Sequence, residues 1–567
     1  MARRDNVSQM PIHSKTLRPA ASYREQLNQR FASGSFAATP SAGSGLHSSS
    51  FVSPPPQNMS PAASPAFSAA SSCAPLLAAR PAAASKPSYA SHSSSLASGP
   101  AAFAEPFLEF MSNNPTVFHA VDHFKNELQA AGFKQLNPRA DWSLDVKPGG
   151  KYFITRNGSS MIAFTVGGQY VPGNGVVMVA GHVDSLTARL KPVSSKPNKA
   201  GYVQLGVAPY SGSLNSTWWD RDLAIGGRVV VRSAEGETRV RLVKLHWPIA
   251  KIATLAPHFG VSMTGSSNKE TEMVPIIGLE GPSKTTSPEV RKNSAFTAEQ
   301  PPKLVELVAR ELDVEPDAIV NWELELYDHQ PGALIGPDRD LLSAGRIDDK
   351  ICSWATMVAL LQARDTDSTG VVRLAGFFDD EEIGSQLRQG ARGNLLPSTV
   401  ERIVEALAKS STDSSAQPGP GLIARTYAAS YLVSADVNHA VHPNFLGNYL
   451  DDHAPKLNVG VAVAYDSNGH MTTDSVSAAI LLRIAELSGQ TLQKFMIRND
   501  SRSGGTIGPS LSSMMGVRTI DAGIPQLSMH SIRATTGALD PGLGVQLFQA
   551  VFERFEQVDA EWDEWMD

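Results

Sequence analysis

The chain has 567 residues, a formal net charge of −6 and only two cysteines, Cys73 and Cys352. That length exceeds one ordinary domain of roughly 150 residues, and so small a charge makes no case for nucleic acid or an anionic membrane surface as a partner. Two distant cysteines exclude a disulfide framework and a Cys-based zinc finger, no apolar run of about 18 residues marks a transmembrane helix, and Met1 to Pro19 is too polar and charged for a Sec-type signal.

Residues 1–104 are dominated by Ser, Ala and Pro, as in Ser48–Ser50, Pro54–Pro56 and Ala82–Ala84. Such a segment buries too little apolar surface to offset its ordering entropy, so a disordered tail is expected. It carries eight Lys/Arg against two Asp/Glu, and the remainder carries 41 against 53. A positive tail therefore precedes an acidic body. One island reads as ordered: Ser22-Tyr-Arg-Glu25 is a capping box, and Tyr23, Leu27 and Phe31 form an apolar stripe on a short helix. Three readings stay open for this tail: a solvated segment, a propeptide or address helix that docks on a partner, and a transit peptide.

From Phe107 the pattern is globular. Phe107, Phe110, Met111, Phe118, Val121, Phe124 and Leu128 suit two helices broken at Pro115, with Gly132 stopping the second. Val176–Ala180, Val371–Phe378 and Tyr431–Ser434 read as buried parallel strands. Helices are expected over Ser353–Gln362 and over Ser475–Leu487, the latter closed by Gly489. This alternation predicts an α/β sheet covered by helices on both faces. Residues 186–345 read differently. Gly227–Arg232 and Thr238–Leu245 flank Ala234-Glu-Gly-Glu237, a hairpin signal, and Met273–Gly278 is another β-like run. A β-rich domain inserted into the α/β domain is expected there. A Ser/Pro/Gly-rich mobile loop is expected near 409–420.

Five acidic or histidine clusters follow apolar strands, where an open α/β sheet presents its ligands. Gly181-His182-Val183-Asp184 offers an imidazole and, two residues on, a carboxylate able to hold the other ring nitrogen. Gly345-Arg-Ile-Asp-Asp349 places Asp348 at a helix start, where an N-cap is the bland alternative. In Phe377-Phe-Asp-Asp-Glu-Glu-Ile-Gly384, four successive acids after an apolar strand repel one another unless a cation neutralises them. Ser434-Ala-Asp436 and Met529-His530 complete the set, and His439 and His442 are spare histidines assigned structural or supporting roles. Mixed nitrogen and oxygen ligation suits zinc, with Co2+ or Mn2+ as substitutes. Two metals a few ångströms apart need a bridging carboxylate and generate hydroxide near neutral pH. The pair Glu381-Glu382 can then supply one general base and one ligand.

In this order the clusters resemble the aspartyl aminopeptidase and vacuolar aminopeptidase I family of dinuclear zinc peptidases, over about residues 105–560. Supporting stretches are Gly149-Gly-Lys-Tyr152, Arg156-Asn-Gly-Ser159, Ser216-Thr-Trp-Trp-Asp-Arg-Asp-Leu223, Asn268-Lys-Glu-Thr271 and Ser503-Gly-Gly-Thr-Ile-Gly-Pro509. The resemblance implies a zinc-peptidase domain with a mixed, mostly parallel sheet, in two parts (105–185 and 346–567). An inserted β-rich dimerisation domain (186–345) interrupts it. It implies two zinc ions per subunit: His182 and Asp436 on one, Glu382 and His530 on the other, and Asp348 bridging. Glu381 would be the general base and Asp184 would orient His182. His258 would serve the active site of a neighbouring subunit, and Gly505 would line the substrate cleft. Dimers and a tetrahedral dodecamer are implied.

The aspartyl branch has a lysine facing the acidic side chain of its substrate, in the strand that aligns with Gly460–Tyr465; here Ala464 stands in its place. A neutral, leucine-like first residue is therefore expected over an acidic one, since a buried carboxylate would lack a partner. Asp349, Ala534 and Ser501-Arg-Ser-Gly-Gly505 look like the vacuolar branch. That branch implies cytoplasmic synthesis and delivery to the vacuole through an N-terminal propeptide and a transport receptor; residence in the cytoplasm is the alternative. Two rival functions remain. A carboxypeptidase or deacylase would anchor a free carboxylate with Arg346, Arg498 or Arg533. A self-assembling cargo or scaffold would hold zinc only structurally. Gly504-Gly-Thr-Ile-Gly508 lacks the Gly-Lys-Ser/Thr ending of a phosphate loop.

Overall fold

A computed structural model describes residues 99–562, apart from 261–266, 282–293 and 412–415. The expected helix around Tyr23, Leu27 and Phe31 lies outside the described residues, as do Cys73 and the middle of the 409–420 loop.

Helices α1 (Ala104–Asn113) and α2 (Val117–Ala130) open the globular part. Pro115 separates them, and Thr116 starts the second, its hydroxyl accepting from the His119 N–H. All seven apolar residues picked out by period are buried. Strands β1 (Lys134–Gln135), β2 (Lys151–Arg156), β3 (Ser160–Val166) and β4 (Val176–His182) follow.

Next come β5 (Thr187–Ser195), β6 (Tyr202–Tyr210), β7 (Asp222–Arg232), β8 (Thr238–Lys244), β9 (Ala250–Lys251), β10 (Ile276–Leu279), helix α3 (Pro302–Leu312) and β11 (Ile319–Asp328). They form one sheet in the order β11-β5-β6-β10-β9-β7-β8. Because β11 also pairs with β7 along Ile319–Asp328, the sheet closes on itself like a barrel. The hairpin read from Ala234–Glu237 is β7–β8, with Arg232 opposite Thr238. The barrel has its own core, including Leu205, Ile225, Val229, Val308 and Leu324.

The chain then returns through β12 (Ala333–Ile335), β13 (Leu341–Ala344), α4 (Ile347–Gln362), β14 (Val372–Phe378), α5 (Leu395–Ser410), α6 (Pro420–Ala428), β15 (Tyr431–Ser434) and β16 (Asn438–His439). It ends with β17 (Ala462–Tyr465), α7 (Ser475–Ser488), β18 (Gln493–Met496), α8 (Gly508–Met515), β19 (Arg518–Gly523), β20 (Pro525–Gln526), β21 (Ala534–Gly537) and α9 (Asp540–Asp559).

The main sheet has the order β1-β2-β3-β14-β4-β15-β19-β17-β18. Its centre, β14-β4-β15-β19, is parallel throughout, and antiparallel pairs occur at β2–β3, β3–β14 and β19–β17. The sheet is mixed and mostly parallel, with helices on both faces. Strand β4 shows why it reads as one apolar run. Val177 and Val179 join a core with Phe124, Trp354, Ile480 and Phe548, whereas Val176, Met178 and Ala180 join another with Leu396, Val400 and Leu511. Alternate residues serve opposite faces, so no position is left polar. Filling either face with large side chains contributes roughly 1.5–3 kcal/mol for each fully buried Val, Leu, Ile or Phe. Among the described residues no helix is long and apolar enough to cross a membrane.

Candidate metal centre

Because β14, β4 and β15 are adjacent and parallel, their carboxyl ends lie on one edge of the sheet. His182 is the last residue of β4, Glu381 and Glu382 occupy the short turn after β14, and Asp436 follows β15 by two residues. Asp348 lies in the first turn of α4, and His530 lies between β20 and β21. The backbone leaves helical geometry at Asp348 and Asp349, which interrupt the first turn of α4.

The separately encoded residues converge. His182 Nε2 stands 3.2 Å from Asp348 Oδ1, 3.5 Å from Asp436 Oδ1 and 3.8 Å from Glu381 Oε2. His530 Nε2 stands 3.6 Å from Asp348 Oδ2 and 3.6 Å from Glu382 Oε2. Asp348 thus turns one carboxylate oxygen to each histidine. Separations of 3.5–3.6 Å are too long for good hydrogen bonds. Two donors each about 2.0–2.1 Å from one tetrahedral zinc would stand ~3.3 Å apart, close to the spacing found. The donor atoms of Asp348, Glu382 and His530 lie within 4.8 Å of one another, and so do those of His182, Asp349 and Asp436. Asp349 was not foreseen as part of the site: it is wholly buried, and its Oδ1 has no protein hydrogen-bond partner.

Asp184 organises the far side of His182. Its Oδ1 is 3.2 Å from His182 Nδ1 and accepts from the Glu381 N–H, while its Oδ2 accepts from Tyr210 Oη (2.7 Å) and the Glu382 N–H. Burial alone would raise its pKa, but the His182 contact, Tyr210 and the backbone donor together lower it. The other carboxylates move the opposite way. Burial first, then neighbouring acids, push Glu381 up to about 8 and raise Asp349, Glu382 and Asp436. Burial would lower the pKa of His182, yet Asp436 and the hydrogen-bonded acids raise it well above its ordinary value. So many largely buried acids in one cluster call for positive charge.

A cavity of about 230 Å³ opens onto this cluster, and Asp348, Glu381, Glu382, Asp436 and His530 line it together with Met471 and Gly504–Thr506. Among the described residues no Lys or Arg lines it. Glu382 Oε1 is buried there with no hydrogen-bond partner among the described residues. The donor set, the orphaned oxygens and the charge excess therefore fit divalent cations bound by nitrogen and oxygen.

Gly505 lines this cavity, and Ala464 and His258 do not. Ala464 is buried in β17, its carbonyl accepting from Thr473 Oγ1. His258 is exposed on a 3-10 turn in the barrel segment. His439 lines the cavity and packs against Phe495, and His442 packs against Phe445. Tyr210 and Ser211 at the end of β6 went unnoticed in the sequence, because a Tyr-Ser pair closing a strand carries no distinctive signal. The three arginines of the rival reading are engaged elsewhere. Arg346 donates to the Asp328 and Met111 carbonyls, Arg533 bonds Asp328 and Ser343, and Arg498 pairs with Asp500.

Residues 110–552 match the family model of the aminopeptidase I zinc metalloproteases, M18. Vacuolar aminopeptidase 1 of Saccharomyces cerevisiae is 41% identical over 472 residues, covering 81% of this chain and 90% of that protein. Aspartyl aminopeptidase of Aspergillus oryzae is 39% identical over 477 residues, covering 79% and 95%. The solved structure of Chaetomium thermophilum mApe1 superposes with a TM-score of 0.76 at 56% identity, covering 82% of this chain and all (100%) of that one. The S. cerevisiae mApe1 dodecamer gives 0.72 at 37% identity, covering 82% and 99%.

Proposed function

Because this chain belongs to the M18 family and is a zinc aminopeptidase, we propose that it binds two zinc ions per subunit and cleaves single neutral, leucine-like residues from the N-termini of peptides, with Glu381 as general base. His182 and Asp436 would hold one ion, Glu382 and His530 the other, and Asp348 would bridge them. The observation that carries this assignment is the division of Asp348, one oxygen 3.2 Å from His182 and the other 3.6 Å from His530. A bound zinc pair supplies a water acidic enough to give hydroxide near neutral pH and polarises the scissile carbonyl.

The chain's own groups do the rest. Glu381 lines the cavity beside both ligand groups, takes the proton of the attacking water and passes it to the leaving amine. Asp184 fixes the tautomer and orientation of His182. Gly504 and Gly505 let a peptide backbone approach the wall of the cavity; no heavy atom outside their chain neighbours lies closer than 3.6 Å to a side-chain carbon placed at either. Among the described residues no Lys or Arg lines the cavity to pair with an acidic first side chain, which supports a neutral preference. The reading with acidic first residues stays in view, because the aspartyl relative is nearly as similar as the vacuolar one.

Rates on Leu-, Ala-, Asp- and Glu-anilides, with zinc analysis on the same sample, test the reading. Leu is expected to be cleaved faster than Asp, with two zinc ions per chain. Faster Asp cleavage would overturn the preference. Glu381→Gln should remove turnover, by a factor of at least ~10² given the usual weight of a positioned base, while zinc content and assembly persist. Undiminished turnover would reject Glu381 as the base, and a wild type inert on every anilide would favour the scaffold reading.

Assembly into dimers through the barrel, and from dimers into a tetrahedral dodecamer, extends the proposal on the strength of the S. cerevisiae mApe1 dodecamer. Vacuolar residence extends the proposal on the strength of the vacuolar relative's name, and cytoplasmic synthesis with residues 1–104 engaging a transport receptor is the route that the sequence resemblance implies.

A further inference from the structure

The two ligand groups are supported by different parts of the molecule. Around His182 the direct supports come from α4 and the end of β4: Ser353 Oγ donates to the His182 carbonyl at 2.7 Å, and Ser185 Oγ donates to the Asp348 carbonyl at 2.6 Å; the barrel reaches His182 only indirectly, through Tyr210 Oη on Asp184. Around Glu382 and His530 the supports come from the segment that leaves β6 of the barrel. Ser211 Oγ donates to Glu382 Oε2 at 3.1 Å, the oxygen that faces His530 Nε2. Asn215 Nδ2 donates to the His530 carbonyl at 2.9 Å. Thr217 Oγ1 accepts from the Ile532 N–H at 2.9 Å and donates to Asn215 Oδ1 at 2.6 Å, so these anchors are themselves linked.

His530 needs such anchoring. Its side chain is 54% exposed, against 1% for His182. It lies on an irregular loop, and both it and Ser528 take left-handed backbone conformations. Neither sheet pairing nor burial fixes its ring. The Glu382 side chain is buried, and among the described residues the Ser211 hydroxyl alone donates to its Oε2 and none donates to its Oε1.

We propose that the barrel segment Ser211–Thr217 sets the affinity of the metal position formed by Glu382 and His530, with Ser211 and Asn215 as its positioning residues, and that the other position does not depend on it. The proposal rests on the two-zinc reading above. Its physical basis is that groups which orient metal ligands raise affinity 10–100-fold by removing alternative ligand conformations.

The test is zinc titration of the full-length, chelator-stripped protein against a competing chromophoric chelator. Wild type should take up two equivalents. Ser211→Ala and Asn215→Ala should each keep one equivalent at wild-type affinity and bind the other roughly 10–100-fold more weakly. Ser211→Thr, which retains the hydroxyl, should restore the second equivalent. Unchanged affinity for both equivalents in both alanine variants overturns the proposal. So does an equal loss of both equivalents, which would mean a general structural defect. A wild type that binds fewer than two equivalents refutes the two-zinc reading and this inference with it, whereas two in wild type and two unaltered in the variants refutes this inference alone.

Discussion

Asp184 meets four donors with two oxygens: the His182 ring, the Tyr210 hydroxyl and the N–H groups of Glu381 and Glu382. It therefore orients an imidazole and at the same time fixes the turn carrying the proposed base and a proposed ligand. An amide cannot replace it. Whichever way Asn points its NH2, that donor faces a backbone N–H, of Glu381 on one side or Glu382 on the other, and leaving buried donors unmatched costs about 1–3 kcal/mol. Asp184→Asn is thus expected to weaken zinc binding ~10–100-fold and to lower kcat as well, read by chelator competition and by leucyl-anilide turnover. Unchanged zinc affinity in this variant would remove Asp184 from its role. The upward displacement of Glu381, Glu382, Asp349 and Asp436 is the same chemistry seen from the other side: buried acids crowded together, with no Lys or Arg among the described residues that line the cavity.

At the scale of elements, helix starts give the clearest energetic handles. The Asp474 carboxylate caps α7 by accepting from the Val476 and Ser477 N–H groups, each at 2.8 Å. Asp474→Ala should destabilise the protein by about 0.5–2 kcal/mol, seen as a lower urea midpoint at neutral pH. In the first turn of α2, burial first and then Lys244 and Lys350 lower His119 from its ordinary value to about 3. The folded state therefore excludes a proton that the unfolded chain binds below pH ~6.5. This contribution is complete above pH ~6.5 and declines by roughly 1.4 kcal/mol per unit as the pH falls from there toward 3. His119→Gln should flatten the difference between urea midpoints measured at pH 7.5 and 5.5. An undiminished slope would shift the acid sensitivity to other groups. Much of this level was legible in the sequence. Val176–Ala180 and Tyr431–Ser434 announce strands because both of their faces are buried, and the α7 stop at Gly489 follows from its left-handed backbone. The five clusters were legible for a related reason: each follows an apolar strand or opens a helix, so charge interrupts apolar sequence. The closure of the barrel by β7 and β11 was not legible, since the two strands are separated by some ninety residues and their pairing depends on backbone hydrogen bonds that any side chain permits. Ser211, Asn215 and Thr217 were hidden for the same reason, as ordinary polar residues made significant only by where the barrel sets them.

The whole molecule raises the question of why His258 should matter when it does not line the cavity of its own chain. It sits on the barrel between Leu255 and Phe259, both exposed, and Trp247 and Leu279 are further exposed apolar side chains of this segment. Exposed aromatic and aliphatic groups of this kind are what a subunit contact covers. If the barrel pairs two copies about a twofold axis, each subunit can present His258 to its partner's cavity, and catalysis becomes a property of the pair. Two single variants separate the possibilities. His258→Ala keeps the metal cluster and Glu381 but offers no histidine. Glu381→Gln offers the histidine but lacks the base. Each alone should be nearly inactive with its zinc retained. After denaturation and joint refolding at equal amounts, half of the dimers would be mixed, and in each mixed dimer one cavity would combine an intact Glu381 with a donated His258. About a quarter of wild-type turnover should return, the share expected for statistical pairing in a closed dimer. A histidine acting within its own chain would give no recovery, because neither variant would then contain a complete site. Phe259→Asp provides the complementary arm. Sedimentation should show smaller species, and turnover should fall with assembly while zinc content per chain stays level. Full turnover by a monomer would exclude a shared site.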